Sequence, residues 1–385
     1  MADTQLNGAW RDRRVLITGH TGFVGSWLAL MLRRLGVEVD GIAHNADPVT
    51  RTRSRWLAEH GVKDHVGDIR DYDTVHRVMG GAPYDCVFHL AAQPLVRAGL
   101  EDPRTTLTTN IGGSINVLEA ARSTGPGVLV HVTSDKCYRN FGWPWPYRET
   151  DEIGGGDPYS VSKAAAELVF EGYAALFDQQ GTGGRQGSRD RQGTLAASVR
   201  FGNVIGGGDH AAHRLVPDTM AALAAGAPIE LRNASAVRPW QHVLDVTAGL
   251  LRLAEALAAG RVPAGRVFNF APPGDGATVH ELVGALRTHW ARSAAPAAGL
   301  DAPAVLAKSD PGFAEEAVLR LDGRRAAAEL GWEHHFDLHG AAAAIVEWHR
   351  TVDRGMGADL ATRAQIDRFL TRVPDLADPA GGNRS

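Results

Sequence analysis

Apolar positions in the first half of the chain follow two alternating rhythms. Short β-branched runs in RRVLITG, VEVDGIAH, YDCVFHLAA and GVLVHVTS predict strands, whereas SWLALMLRRLG, DTVHRVMGG and TLTTNIGGSINVLEAARSTG between them have helical spacing. Strands alternating with helices predict an α/β fold with a doubly wound parallel sheet, because parallel neighbours need a crossover and a helix usually supplies it. From Asp157 onward, PYSVSKAAAELVFEGYAALF predicts a long helix and TLAASVRFGNV a further strand. Beyond about Gly206 the pattern breaks into short strands and helices among Gly and Pro, which predicts a smaller α/β substrate lobe. The expected division is a nucleotide-binding domain over 1–200, the smaller lobe over 201–370 with some segments returning to the sheet, and a flexible tail at 371–385. DQQGTGGRQGSRDRQG, residues 178–193, has no apolar periodicity and reads as a surface insertion.

Composition narrows the partners. The chain has 385 residues, 44% hydrophobic and 22% charged, enough to bury a full core. A formal charge of −4 gives no electrostatic reason to expect nucleic acid. Two cysteines, Cys86 and Cys137, are too few for a disulfide framework, and MADTQLNGAWRDRR lacks the apolar core of a signal peptide. With no apolar run approaching ~20 residues, a soluble cytoplasmic protein without a membrane span is expected.

The first candidate site is VLITGHTGFVGSWL, which sets Gly19, Gly22 and Gly25 between a strand and a helix. Glycines let the backbone approach a pyrophosphate, and the following helix offers free N–H groups and the positive end of its dipole. An acidic residue holding the adenosine ribose is expected about 20 positions on. Asp40 lies near that distance but inside the strand; Arg51, Arg53 and Arg55 follow and are suited to a 2′-phosphate, so this segment leaves NAD and NADP open. Asp68 in GDIRD follows the third strand, where a carboxylate can accept from the adenine amino group.

The second is TSDKCY, residues 133–138, a polar burst directly after the apolar run Val128–Val132. The third is the pair Tyr159 and Lys163, four apart and so on one helical face. An ammonium beside a phenol favours phenolate, which would bring the reference value near ~10 toward working pH and make Tyr159 a base for a hydroxyl proton. Thr133, at the strand end, is expected to hydrogen-bond the same hydroxyl.

Together GHTGFVGSWL, HLAAQPLVR, TSDKCY, YRETDEIGGGDPYSVSK, GNVIGGGD with RLVPD, and RPWQHVLD resemble the extended short-chain dehydrogenase/reductases. Within them the chain is most similar to the nucleotide-sugar 4,6-dehydratases that act on CDP-glucose. The resemblance covers nearly the whole chain, to about residue 350. It implies a Rossmann-like sheet, NAD used catalytically, no metal, and a lyase reaction. The glucosyl C4 is oxidised, water is removed across C5 and C6, and hydride returns to C6. It also implies a homodimer or higher homo-oligomer through paired helices, one carrying Tyr159.

By the same resemblance the cofactor is held by Gly19, Thr21, Gly22, Phe23, Val24, Gly25, Asp68, Ile69, Leu90, Ala91 and Ala92, with Tyr159 and Lys163. Substrate is met by Gln93, Arg97, Asn203, Arg214 and Arg238. Asp135 and Lys136 stand where relatives acting on dTDP-glucose carry Asp and Glu. Asp135 is the expected acid for the departing C6 hydroxyl. Lys136 either takes the C5 proton as a neutral amine or stays charged and stabilises the enolate. Val24 replaces a usual lysine and His210 a usual tryptophan. His242 and Asp245 read as structural; Trp143 and Trp145 read as loop packing or as a lid. A 4-epimerase of the same fold, a dehydratase for another nucleotide sugar, and a non-catalytic dinucleotide sensor are the competing readings. SDK argues against an epimerase, which needs no acid and base there.

Overall fold

The computed structural model describes residues 10–182, 193–293, 303–307 and 316–377. Six strands come first in the chain: β1 (Arg14–Thr18), β2 (Glu38–Ala43), β3 (Lys63–Val66), β4 (Cys86–His89), β5 (Val128–Val132) and β6 (Leu195–Phe201). With the strand Val267–Phe270 they form one seven-stranded sheet in the order Val267–Phe270, β6, β5, β4, β1, β2, β3, every pairing parallel.

Side-chain alternation divides these strands between two cores. Val15, Ile17, Phe88, Val128, Val130, Ala197 and Val199 enter a cluster with Trp27, Leu28 and the helix Val243–Ala258. Leu16, Val87, Leu129 and Ala196, each from the opposite parity, enter a second cluster with Val117, Leu118, Phe170 and Phe177. A sheet covered on both faces is what continuous apolar strands require. A third cluster, from Ile205, Val216, Leu231, Leu282, Leu286 and Ile345, sits among the later helices and three two-stranded sheets. Residues 371–377, expected to begin a flexible tail, are ordered. Pro374–Ala377 is helical, Leu376 is buried, and Asp375 accepts from Arg252 at 2.5 Å. Of the expected insertion at 178–193, residues 178–182 instead continue the helix Pro158–Thr182, and 183–192 lie outside the described residues.

Strand order reverses direction between β1 and β4, and such a switch point opens a crevice at the carboxyl ends of the strands. Both expected catalytic segments lead there, TSDKCY from the end of β5 and Tyr159 from the helix Pro158–Thr182. A buried ion pair fixes that helix to the sheet. Glu167 on the helix receives Arg200 of β6 at 2.6 and 2.8 Å, Ser198 at 2.6 Å, and the Thr133 hydroxyl. Arg200 also donates to the Tyr138 phenol at 2.9 Å. Glu167→Ala leaves Arg200 buried without its counter-charge, so it is expected to destabilise the fold by about 3–5 kcal/mol, read from the urea midpoint.

Candidate active site

The glycine turn is built for close approach. Gly19 has φ 78° and packs against the backbone of Ala91, so a Cβ there would meet Ala91 at 2.8 Å. A Cβ on Gly25 would collide with the Gly19 carbonyl, which fixes helix Phe23–Arg34 close to β1. No side chain caps that helix, and its first turn contains no acidic residue. Its first N–H groups therefore have no partner in the helix, and this end suits a pyrophosphate. Leu90 and Ala91 lie beside the turn: Leu90 N–H donates to the Thr18 carbonyl at 3.1 Å and Ala91 N–H to Thr18 Oγ1 at 3.1 Å. Ile69 is buried against Gly113.

Around the adenosine end, acids and bases are mostly bound to one another. Asp40 accepts from Tyr84 at 2.8 Å and Arg14 at 3.1 Å, and so belongs to a structural network within the strand. Asp68 is chelated by Arg70, whose hydrogen bonds lower its carboxyl. Arg53 is buried and donates to the carbonyls of Thr21 and Gly208, and Arg51 to those of Asn45 and Ala46. Neither guanidinium is left as an open 2′-phosphate clamp. The residues present fit NAD.

The polar burst after β5 divides by strand parity. Thr133 N–H still pairs with the Val199 carbonyl at 2.9 Å, so its side chain falls on the face of Leu129 and His131 and donates to Glu167 in the interior. The expected contact of Thr133 with a substrate hydroxyl is therefore corrected, and Ser134 is the hydroxyl that counts. Extended backbone at Ser134, φ −155° and ψ 154°, turns its hydroxyl the other way. It donates to Asp135 Oδ1 at 3.0 Å, accepts from Lys136 N–H at 3.2 Å, and is near enough to Tyr159 to pull that phenol down. Counting the two-residue alternation one step past the strand would have found it.

Asp135 follows in a turn of 3₁₀ helix. It is buried, its Oδ2 has no hydrogen-bond partner, and burial raises its carboxyl above the ordinary value against the pull of Lys136, Ser134 and Arg238. Room for that carboxyl depends on Gly202, because any Cβ there would overlap Oδ2. Lys136 Nζ meets Glu316 Oε2 at 2.5 Å, a partner 180 residues away that the sequence did not single out.

Tyr159 and Lys163 are both buried on one helical face. The expected fall of the phenol is also corrected: burial, with Asp135 and Asp157, pushes Tyr159 up to about 12, outweighing Ser134 and Arg214. Burial instead brings Lys163 down to about 8, although Glu167 and Cys137 hold it up.

Substrate candidates divide. Arg214, paired with Asp209 at 3.1 Å, is close enough for its charge to act on Tyr159. Arg238 is buried, donates to the Val237 and Glu316 carbonyls at 2.8 and 2.6 Å, and acts on Asp135. Asn203 holds a left-handed φ of 48° and accepts from Gln241 N–H at 3.3 Å. The Gln93 amide, by contrast, bridges Thr106 and Leu95. Arg97 pairs with Glu101 at 3.7 Å on a short helix. His242 caps the helix Val243–Ala258, and Asp245 binds the backbone of His335 and Phe336. Trp143 stacks between Phe141 and Tyr147, while Trp145 is exposed. His210 packs edge-on against Trp348.

Comparison with known proteins agrees with this geometry. Residues 15–271 match the NAD dependent epimerase/dehydratase family. The chain is 36% identical to the CDP-glucose 4,6-dehydratase of Salmonella typhimurium over 94% of this chain and 97% of that one. It is 25% identical to the dTDP-glucose 4,6-dehydratase of Xanthomonas campestris over 87% and 93% of the two chains. Among solved structures, the dTDP-glucose 4,6-dehydratase of Streptomyces venezuelae with NAD bound superposes with a TM-score of 0.70 at 25% identity. That superposition covers 89% of this chain and 98% of that one.

Because Asp135 is raised, the folded chain binds this proton more tightly than the unfolded chain does. The stability it contributes is lost as pH rises from the unfolded carboxyl range near ~4 through the raised value. Asp135→Asn is expected to melt above the unaltered protein at neutral pH, with the gap closing as pH falls below ~4, in thermal melts across pH.

Proposed function

This chain belongs to the NAD dependent epimerase/dehydratase family, and from that premise we propose that it is a CDP-glucose 4,6-dehydratase forming CDP-4-dehydro-6-deoxyglucose. The observation that carries the reading is the buried carboxyl of Asp135, its Oδ2 without a hydrogen-bond partner, beside Lys136 and next to the Ser134 hydroxyl near Tyr159. A 4-epimerase has no use for an acid and a cation at that point.

Tyr159 takes the C4 hydroxyl proton, with the Ser134 hydroxyl near the same phenol and Lys163 on the same helical face. NAD, when bound, accepts hydride from C4 and gives it back at C6. Lys163 and the positive charge of the bound ring lower the cost of phenolate in a site where burial alone opposes it. Once C4 is a ketone, the C5 hydrogen becomes acidic because its electron pair can delocalise onto oxygen. Asp135, kept toward its neutral form by burial, is placed to serve the departing C6 hydroxyl. Arg214 brings a cationic fork suited to the diphosphate near Tyr159, while Arg238, buried and held by two backbone carbonyls, adds positive charge beside Asp135.

A homodimer is part of the proposal. Val161 and Leu168 are exposed apolar residues one heptad apart on the Tyr159 helix, with Leu176 eight further on and Ile115 exposed on Gly113–Thr124. Free, buried Cys86 and Cys137 support a cytoplasmic setting.

CDP-glucose incubated in D2O is expected to give the 4-keto-6-deoxy sugar with deuterium at C5, read by NMR. A panel of dTDP-, UDP- and GDP-glucose should be turned over more slowly. Epimerised sugar without exchange would favour the epimerase reading. Ser134→Ala is expected to slow C4 oxidation by ~10²-fold, read as formation of reduced cofactor in a single turnover, since it removes the hydroxyl beside the reacting phenol.

A further inference from the structure

Lys136 and Glu316 form a close pair at the rim of the site, 2.5 Å from nitrogen to oxygen. Glu316 enters from a distant part of the chain. The segment after it runs along Val237, with Val237 N–H donating to the Ala317 carbonyl at 2.9 Å and Leu319 N–H to the Val237 carbonyl at 3.3 Å. Arg238 clamps the Glu316 carbonyl at 2.6 Å, so the residue that meets Lys136 is held by a neighbour of Asp135. A lysine only one-fifth exposed and bound to a carboxylate is fixed in position.

We propose that Glu316 is a positioning residue for the elimination step, holding Lys136 as a cation so that Lys136 acts by its charge on the C4 enolate oxygen and not as a neutral base. The inference rests on the dehydratase reading above and settles the role of Lys136 within it. With Lys136 committed as a cation, the proton transfers pass to Asp135, whose buried Oδ2 has no partner. Asp135 starts as the carboxylate, which burial makes a stronger base, so the C5–H bond breaks with its proton going to Oδ2 and its electron pair to the C4 oxygen. That pair then returns to form the C5–C6 double bond, the C6–O bond breaks, and the same proton leaves Asp135 on the departing oxygen as water.

The test uses the NAD-loaded enzyme with CDP-glucose in D2O, following reduced cofactor by its near-ultraviolet absorbance and C5 exchange by NMR. Lys136→Arg, always charged, is expected to keep elimination within ~10-fold of the unaltered enzyme, whereas Lys136→Met should lose ~10²-fold or more. Glu316→Gln should slow elimination by ~10-fold or more while C4 oxidation persists, so that reduced cofactor builds up, and Glu316→Asp should restore part of the rate. A merely structural Glu316 would lower both steps together. The proposal is overturned if Lys136→Arg is as inactive as Lys136→Met, or if Glu316→Gln eliminates at the unaltered rate, in an enzyme that makes the 4-keto sugar. Absence of that sugar from the unaltered enzyme would overturn the dehydratase reading itself, and this proposal with it.

Discussion

The buried pair of Glu167 and Arg200 is the interaction on which the site depends. It joins the helix bearing Tyr159 and Lys163 to β6, and through Thr133 and Ser198 it also engages the end of β5 and the middle of β6. Both charges are almost fully buried, so each is tolerable only because the other is present and the remaining donors are supplied. Glu167 lies one helical turn from Lys163 and holds that ammonium up against burial. One ion pair therefore sets the helix's position against the sheet and tempers the charge of a residue in the reaction.

The rest of the site works against ordinary stability. Asp135 is a carboxyl in a place where its charge is disfavoured, and it fits only because residue 202 lacks a side chain. Tyr159 is likewise driven away from phenolate by its surroundings. Both groups are thus biased toward holding their protons. Strain of this kind at a functional site is offset by the well-packed sheet beneath it.

Much of this was legible in the sequence because its signals are local. Strand–helix alternation gave the parallel sheet, the glycine spacing gave the turn, and a spacing of four placed Tyr159 and Lys163 on one face. Thr133 was misplaced because residue type drew attention ahead of strand parity; the ladder bond to Val199 continues one residue further than the apolar run suggests. The phenol of Tyr159 was misjudged because a neighbouring ammonium is visible in sequence whereas burial is not. Asp68, Gln93 and Arg97 lie in recognisable motifs, yet their partners Arg70, Thr106 and Glu101 are known only from geometry. Glu316 carried no local signal, since its relation to Lys136 is purely one of tertiary structure.

That distance in sequence gives the enzyme a graded way of failing. Ser134, Tyr159 and Lys163 are joined by one strand end and one helix, contacts that closely spaced residues close at little entropic expense. The clamp on Lys136 closes a loop of 180 residues and hangs on a short edge pairing along Val237. Loosening begins where backbone pairing is thinnest, so a partly relaxed molecule would keep its oxidising half and lose the elimination half. During synthesis the same asymmetry runs in time. At ~5–20 residues per second, residue 316 reaches the ribosome exit tens of seconds behind Lys136 at the slow end of that range, long after the residues for hydride removal are together.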